Sequence, residues 1–214
     1  MSGPRDPRLV ARRRLLGAGL VPLGFAVPPV AAQSGPRTPT PSQTRGPFYP
    51  PDPPRDAGED LVLERDGKRA RGELLRLAGR VVDTSGRPLP GTRVELWQCN
   101  ADGRYHHPRD DNPAPIDPLF LAYGRSTSGA DGGWRFRTVR PVPYPGRTPH
   151  LHLLLTAPDG RSLTTQLYVR GEPGNARDGL LSRLAPDARE RLMADFVRVA
   201  DGGWQAAFEV VLPG

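Results

Sequence analysis

Tyr144-Pro145-Gly146-Arg147-Thr148-Pro149-His150-Leu151-His152, followed directly by Leu153, Leu154 and Leu155, is the stretch around which the rest of the chain is organised. Read as a strand from His150 to Thr156, it places side chains two apart on one face, roughly 7 Å apart along the backbone. Both imidazoles can then reach one metal ion, while Leu151 turns into a core. Pro149 closes the preceding loop and biases Thr148 toward extended backbone, so a defined turn separates Tyr144 from the strand. A phenol, a guanidinium and two imidazoles converge.

Outward from this stretch the chain is a series of short apolar runs punctuated by turn residues. Strands are expected at Leu74 to Val82, Arg93 to Gln98, Trp134 to Val139, His150 to Thr156 and Thr164 to Val169. A C-terminal pair turns at Asp201-Gly202-Gly203 and ends with Gln205 to Leu212. In the Arg93 run, Val94, Leu96 and Gln98 share one face and Glu95 and Trp97 the other. Pro186 to Leu192 reads as a short helix or a loop. Many short strands with Gly/Pro turns and no sustained helical period point to an all-β protein, a sandwich or a barrel.

At 214 residues and 36% hydrophobic content the chain can bury one substantial core. The formal charge of +7 is concentrated at the start: the first 32 residues carry five arginines and one aspartate, leaving +3 on the remainder. That removes the electrostatic basis for a nucleic-acid partner. Lys68 is the only lysine and Cys99 the only cysteine, so neither an intramolecular disulfide nor a thiolate metal cluster can form within one chain. Cys99 is expected to be a small buried apolar residue.

Residues 1–32 read as an export signal, with Arg12-Arg13-Arg14-Leu15-Leu16, an apolar run to Val30 broken by Gly and Pro, and Val30-Ala31-Ala32 as the cleavage site. The run is too short and interrupted to span a membrane, so no stable anchor is expected after processing. Two arginines, one residue and two leucines resemble a twin-arginine signal, whose route exports a folded, cofactor-loaded protein, here to the periplasm. Residues 33–60 are rich in Pro, Ser, Thr and Gly and read as an extended arm, with residues 61–214 as the main domain. The aromatics in Thr44-Arg45-Gly46-Pro47-Phe48-Tyr49-Pro50 imply that the arm packs on its own domain or on a neighbouring subunit.

The four histidines fall in two groups, His106-His107 and His150-His152, and Tyr105 precedes the first group just past an Asp102-Gly103 turn. An HxH pair on one strand suits many metals. Tyrosine narrows them: a phenol titrates near pH 10 in water, so a tyrosinate ligand at neutral pH needs a strongly Lewis-acidic ion, and Fe(III) fits better than Zn(II) or Mg(II).

Beyond these spacings, several segments resemble the motifs of the intradiol ring-cleavage dioxygenases, and most closely their protocatechuate 3,4-dioxygenase-like branch. They are Trp97-Gln98-Cys99-Asn100-Ala101-Asp102-Gly103-Arg104-Tyr105, Phe136-Arg137-Thr138-Val139-Arg140-Pro141, Tyr144-Pro145, His150-Leu151-His152 and Thr165-Gln166-Leu167-Tyr168-Val169. With the Gly46 to Tyr49 arm, the likeness covers most of residues 44 to 212 in the family's order. It implies a β-sandwich core with loop-rich extensions, and a non-haem Fe(III) bound by Tyr105, Tyr144, His150 and His152. Tyr144 and His152 would be axial, with Tyr105, His150 and a solvent hydroxide equatorial. Arg147 matches the arginine that steadies negative charge on the substrate, Gln166 a polar residue behind it, and Thr44, Gly46 and Pro47 the border of the substrate pocket. The implied reaction opens a catechol-type ring with O2, incorporates both oxygen atoms and yields a cis,cis-muconate-type diacid.

The sequence departs from that pattern at Gly146, where the protocatechuate enzymes often carry tryptophan, and in a shorter Tyr144 to His150 loop; both imply a wider pocket. His106 and His107 match no ligand position and are expected at the pocket edge or surface, able to protonate near neutral pH. Related enzymes often assemble from several chains, and the arm is long enough to reach a neighbour in a homo-oligomer. Two other readings compete: an exported sandwich that holds copper or another metal without turnover, and a carbohydrate- or partner-binding sandwich suggested by Gly79 to Gln98. The first predicts that Tyr105 and Tyr144 are dispensable for metal; the second leaves the Tyr/His/Arg constellation unexplained.

Overall fold

Alternation along one strand sorts the whole molecule. In a computed structural model describing residues 36–214, His150–Thr156 is a strand, and Leu151, Leu153 and Leu155 are fully buried against apolar side chains of a second sheet. The intervening His150 and His152 necessarily face the other way. The expected export signal at 1–32 lies outside the described residues.

The described residues form eleven strands: β1 (Glu64–Arg65), β2 (Lys68–Arg69), β3 (Leu74–Val82), β4 (Arg93–Trp97), β5 (Tyr123–Thr127), β6 (Gly133–Val139), β7 (His150–Thr156), β8 (Ser162–Val169), β9 (Met193–Ala194), β10 (Phe196–Arg198) and β11 (Trp204–Val211). A single short helix, α1, covers Pro186–Glu190. One sheet has the order β10-β11-β3-β6, the other β5-β4-β7-β8-β9, and β1-β2 is a small separate hairpin. The protein is therefore an all-β sandwich, as expected. Val94 and Leu96 of β4, the three leucines of β7 and Leu163 and Leu167 of β8 meet Leu75, Leu77 and Val81 of β3, Phe136 of β6 and Phe208 and Val210 of β11 in one core. Each fully buried leucine contributes about 1.5–3 kcal/mol of apolar burial.

Gln98 shares the inward face with Val94 and Leu96, but it is fully buried and satisfied: Thr138 Oγ1 donates to its Oε1 (2.7 Å) and its Nε2 donates to the Val139 carbonyl (3.1 Å). The C-terminal pair turns at Gly202 (φ 84°), and β11 then runs parallel to β3 in register from Trp204↔Leu75 to Val211↔Val82. The sequence reading missed β5. Tyr123-Gly124-Arg125-Ser126-Thr127 lacks apolar alternation because it is an edge strand, paired only with β4 and covered by Leu61 and the Gly58 backbone.

The described part of the arm packs on its own domain. Thr40 exchanges hydrogen bonds with Val211 at the end of β11, the Gln43 amide donates to Thr164 of β8, and Thr165 Oγ1 donates to the Pro41 carbonyl. The arm so crosses from one sheet to the other and delivers residues 44–49 onto the outer face of the second.

Gly79 in β3 leaves no room for a side chain: a Cβ there would lie 2.2 Å from both the Phe208 carbonyl oxygen and Trp134 Cζ2. A backbone oxygen cannot rotate away. Gly79→Ala is therefore expected to lower stability by about 1–3 kcal/mol, as overpacking does, measured as a fall in the urea midpoint. An unchanged midpoint would contradict this packing.

Candidate metal centre

Tyr144-Pro145-Gly146-Arg147 closes a type II β-turn, with proline at the second position, Gly146 at φ 79° in the third and the Arg147 amide donating to the Tyr144 carbonyl (2.9 Å). The turn folds the Arg147 guanidinium back beside the Tyr144 hydroxyl, with Nη1 at 3.4 Å. Three residues later β7 begins. Its register then decides who stands beside the histidines: Trp97 of β4 and Gln166 of β8 flank His152, and Tyr168 of β8 flanks His150. Directly opposed side chains on one sheet face lie within contact distance, and the Trp97 and His152 rings are stacked, 4.9 Å apart and 12° from parallel.

Three donor atoms converge. His150 Nε2 lies 3.4 Å from the Tyr144 hydroxyl oxygen and 3.2 Å from His152 Nε2. The Thr148 carbonyl can only accept, so at 2.7 Å it holds the proton on His150 Nδ1 and leaves the Nε2 lone pair facing the cluster. Burial, reinforced by the Arg147 charge, pushes His150 down to about 3, and burial with the neighbouring His150 takes His152 well below its ordinary value. Both imidazoles are neutral donors across the physiological range.

The fourth donor comes from the loop after β4. Asn100 Oδ1 accepts the Asp102 and Arg104 amides (3.0 Å each) and Gly103 sits at φ 79°, which turns the chain back. Asp110 then accepts the Tyr105 amide at 2.6 Å. The Tyr105 ring meets Tyr144 edge-on at 5.5 Å and His152 at 6.2 Å, and Phe48 of the arm covers it at 4.7 Å. Its hydroxyl is buried without a hydrogen-bond partner, as is His152 Nδ1. Leaving such an atom unpaired costs about 1–3 kcal/mol, a debt that a cation at this point would remove for the Tyr105 oxygen.

Burial, with Tyr144 close by, raises Tyr105 well above the ordinary phenol value; burial also raises Tyr144, partly opposed by Arg147. Without a strong local positive charge both phenols stay protonated. Among the described residues no three His, Cys, Asp or Glu side chains gather at metal-binding distance. Two neutral imidazoles and two phenols that ionise only beside a strong Lewis acid form a donor set that fits Fe(III).

Arg147 is held from three sides: Nε donates to Asp178 (2.8 Å), and Nη2 donates to Gln166 Oε1 (2.6 Å) and the Tyr168 hydroxyl (3.1 Å). Gln166 in turn donates to the Thr44 carbonyl (2.9 Å), tying the arm to the centre. Thr44 Oγ1 accepts the Gly46 amide (3.1 Å), and Gly46, at φ 72°, presses so close that a Cβ would lie 3.3 Å from His152 Cε1. Pro47 lines a neighbouring cleft of about 580 Å³, where its carbonyl accepts from Arg109 (2.6 Å). A second cleft of about 370 Å³ opens beside Tyr144, Gly146 and Arg147, and a Cβ at Gly146 would meet nothing within 4 Å. All six sequence-expected site residues from 105 to 166 and the arm are thus brought together. Sequence reasoning passed over the partners Trp97, Tyr168 and Asp178, of which only the first two follow from strand register.

The remaining histidines divide. His107 sits beside Phe48 at the 580 Å³ cleft, its Nδ1 accepting the Arg109 amide. His106 packs edge-on to Phe120, and burial holds its pKa below the ordinary imidazole value. Cys99 is buried among Trp97, Tyr105 and Tyr123, and burial pushes its thiol up to about 12. Since the thiolate is the reactive form, Cys99 is expected to resist iodoacetamide at pH 8 in the native protein and to react fully in guanidinium. Mass spectrometry reads both states; rapid native labelling would contradict the burial.

The family model described as Dioxygenase (Dioxygenase_C) matches residues 44–214. Among similar proteins, the protocatechuate 3,4-dioxygenase beta chain of Burkholderia cepacia is 41% identical over 133 residues, covering 58% of this chain and 57% of its own length. The hydroxyquinol 1,2-dioxygenase of Corynebacterium glutamicum is 30% identical over 198 residues, covering 79% of this chain and 62% of its own length. The chain thus spans about three-fifths of the length of these curated relatives. In structure it is similar to the dioxygenase domain of a dioxygenase and carbohydrate-binding protein fusion from Streptomyces sp. SirexAA-E (TM-score 0.65, 34% identity, 82% of this chain and 99% of that one). It shares its fold with 3-chlorocatechol 1,2-dioxygenase from Rhodococcus opacus 1CP (TM-score 0.64, 23% identity, 82% and 72%). With all four convergent donors inside the matched segment, the chain belongs to the intradiol ring-cleavage dioxygenase family.

Proposed function

We propose that the protein opens a catechol-type ring between its two hydroxyl-bearing carbons, adds both atoms of O2 and releases a cis,cis-muconate-type dicarboxylic acid, using non-haem Fe(III) held by Tyr105, Tyr144, His150 and His152. The observation that carries this reading is the meeting of the Tyr144 oxygen with two neutral imidazole nitrogens beside the partnerless Tyr105 hydroxyl, with the Arg147 guanidinium reaching in. The activities named for the relatives support it.

Fe(III), when bound, supplies the charge that lets phenols and catechol hydroxyls ionise at neutral pH and draws electron density from the ring, so that no external reductant is needed. The chain's own residues do the rest. Tyr144, as phenolate, is placed to accept the proton of a catechol hydroxyl. Arg147 Nη1, aimed at the same oxygen, offers a fixed positive charge to the negative charge that develops on the substrate, and needs no reorganisation to do so. Gly46 and Phe48 shield the histidine and tyrosine faces from water. The open space at Gly146 admits substituents on the ring, so the substrate class extends to substituted catechols and hydroxyquinol-like rings.

Export of the folded, metal-loaded protein to the periplasm is part of the proposal, on the strength of Arg12-Arg13, Leu15-Leu16 and Val30-Ala31-Ala32. Among the described residues no helix is long and apolar enough to cross a membrane.

Iron-loaded protein given catechol and isotopically labelled O2 is expected to consume one O2 per ring and to place label in both carboxylates of a muconate-type product, followed by mass spectrometry. Arg147→Ala should retain iron but lose roughly 100-fold in kcat/KM, the scale of one electrostatic donor at a developing charge. A protein that retains zinc or copper and takes up no O2 after iron loading would sink the proposal.

A further inference from the structure

Asp178 stands outside the sheet that carries the metal donors, yet it is fully buried and accepts four hydrogen bonds. Its Oδ1 takes the Leu180 and Leu181 amides (3.0 Å each), and its Oδ2 takes Arg147 Nε (2.8 Å) and the Thr148 amide (3.1 Å). One oxygen therefore belongs to the segment after the 3-10 turn Pro173–Arg177, and the other to the turn that bears Tyr144 and Arg147. A second tie runs parallel to it: Thr148 Oγ1 donates to Asn175 Oδ1 (2.9 Å), and Asn175 Nδ2 donates to the Val169 carbonyl at the end of β8 (2.9 Å).

The consequence lies in how the guanidinium is divided. Nε is committed to Asp178 and Nη2 to Gln166 and Tyr168, while Nη1 alone faces the Tyr144 oxygen. A planar guanidinium whose Nε is held by a carboxylate cannot swing about its last side-chain torsions without breaking a charge-assisted bond. Gln166 and Tyr168 offer only neutral oxygens at the adjacent Nη2. Glu172, the other carboxylate on the neighbouring cleft, is paired with Arg140 and does not substitute.

We propose that Asp178 is a positioning residue that aims Arg147 at the reacting oxygen, so that the 173–183 segment takes part in catalysis through the guanidinium it orients. This rests on the reading of Arg147 as the charge-stabilising group. A merely structural carboxylate would show itself in stability alone; a positioning one must act through Arg147.

Two readouts separate the proposal from the reading beneath it. In metal-free, isotope-labelled protein, the Arg147 Nε–H, assigned by its loss in Arg147→Lys, should be downfield and slow to exchange, and Asp178→Asn and Asp178→Glu should each shift it and speed its exchange at least tenfold. This requires no turnover. In iron-loaded enzyme, Asp178→Asn should lower kcat roughly 10- to 100-fold with KM within about threefold, as misplacement of a catalytic group does. In an Arg147→Lys background the further loss on Asp178→Asn should shrink to less than about twofold. An unprotected Arg147 Nε–H in the wild type, or an equal loss from Asp178→Asn in both backgrounds, would overturn the proposal. Should the wild type take up no O2, the functional reading fails, and the Nε–H result still decides whether Asp178 orients Arg147.

Discussion

Leu151, Leu153 and Leu155 pack into the sandwich core from the same strand on which His150 and His152 point outward. The two sets alternate, so neither can move without the other: a one-residue slip of β7 would bury the imidazoles among leucines and expose the leucines to the site. The apolar core, supplied by both sheets, thus sets the register of the donors. The same register brings Trp97, Gln166 and Tyr168 alongside, because β4 and β8 are paired with β7 through their backbones.

Around those two histidines the molecule does something a fold alone would not favour. It buries a phenol hydroxyl with no partner and gathers two neutral imidazole nitrogens and a second phenol at one point. Packing supplies the stability that tolerates this: Phe48 lies over Tyr105, Trp97 stacks on His152, and Gly46 closes against the same imidazole. The arm that provides Phe48 and Gly46 is held by hydrogen bonds to the ends of both sheets. Closure of the centre is therefore coupled to the integrity of the sandwich rather than to the local sequence of the arm.

Much of this was legible in the chain. The strands around Leu74 to Val82 and His150 to Thr156 follow from apolar runs bounded by Pro and Gly, and the HxH spacing with Tyr144-Pro145-Gly146-Arg147 announces both the turn and the donors it carries. Edge strand β5 was not legible, because a strand that pairs on one side and lies under a loop needs no apolar alternation. Asp178 was not legible either: it sits 31 residues from Arg147 in a loop without period or motif, and only the path of the chain brings the two together. His106 shows the same limit, since its neighbour Phe120 comes from a segment that the sequence leaves unplaced.

The account stands on Tyr105 and Tyr144 being ligands of one iron together with His150 and His152. Resonance Raman spectra of the iron-loaded protein, excited in its visible absorption band, test that directly. Tyrosinate vibrations from two distinct phenolates are expected, with Tyr105→Phe and Tyr144→Phe each removing one set and leaving the other. Iron bound without tyrosinate vibrations, or a spectrum unchanged by both substitutions, would contradict it.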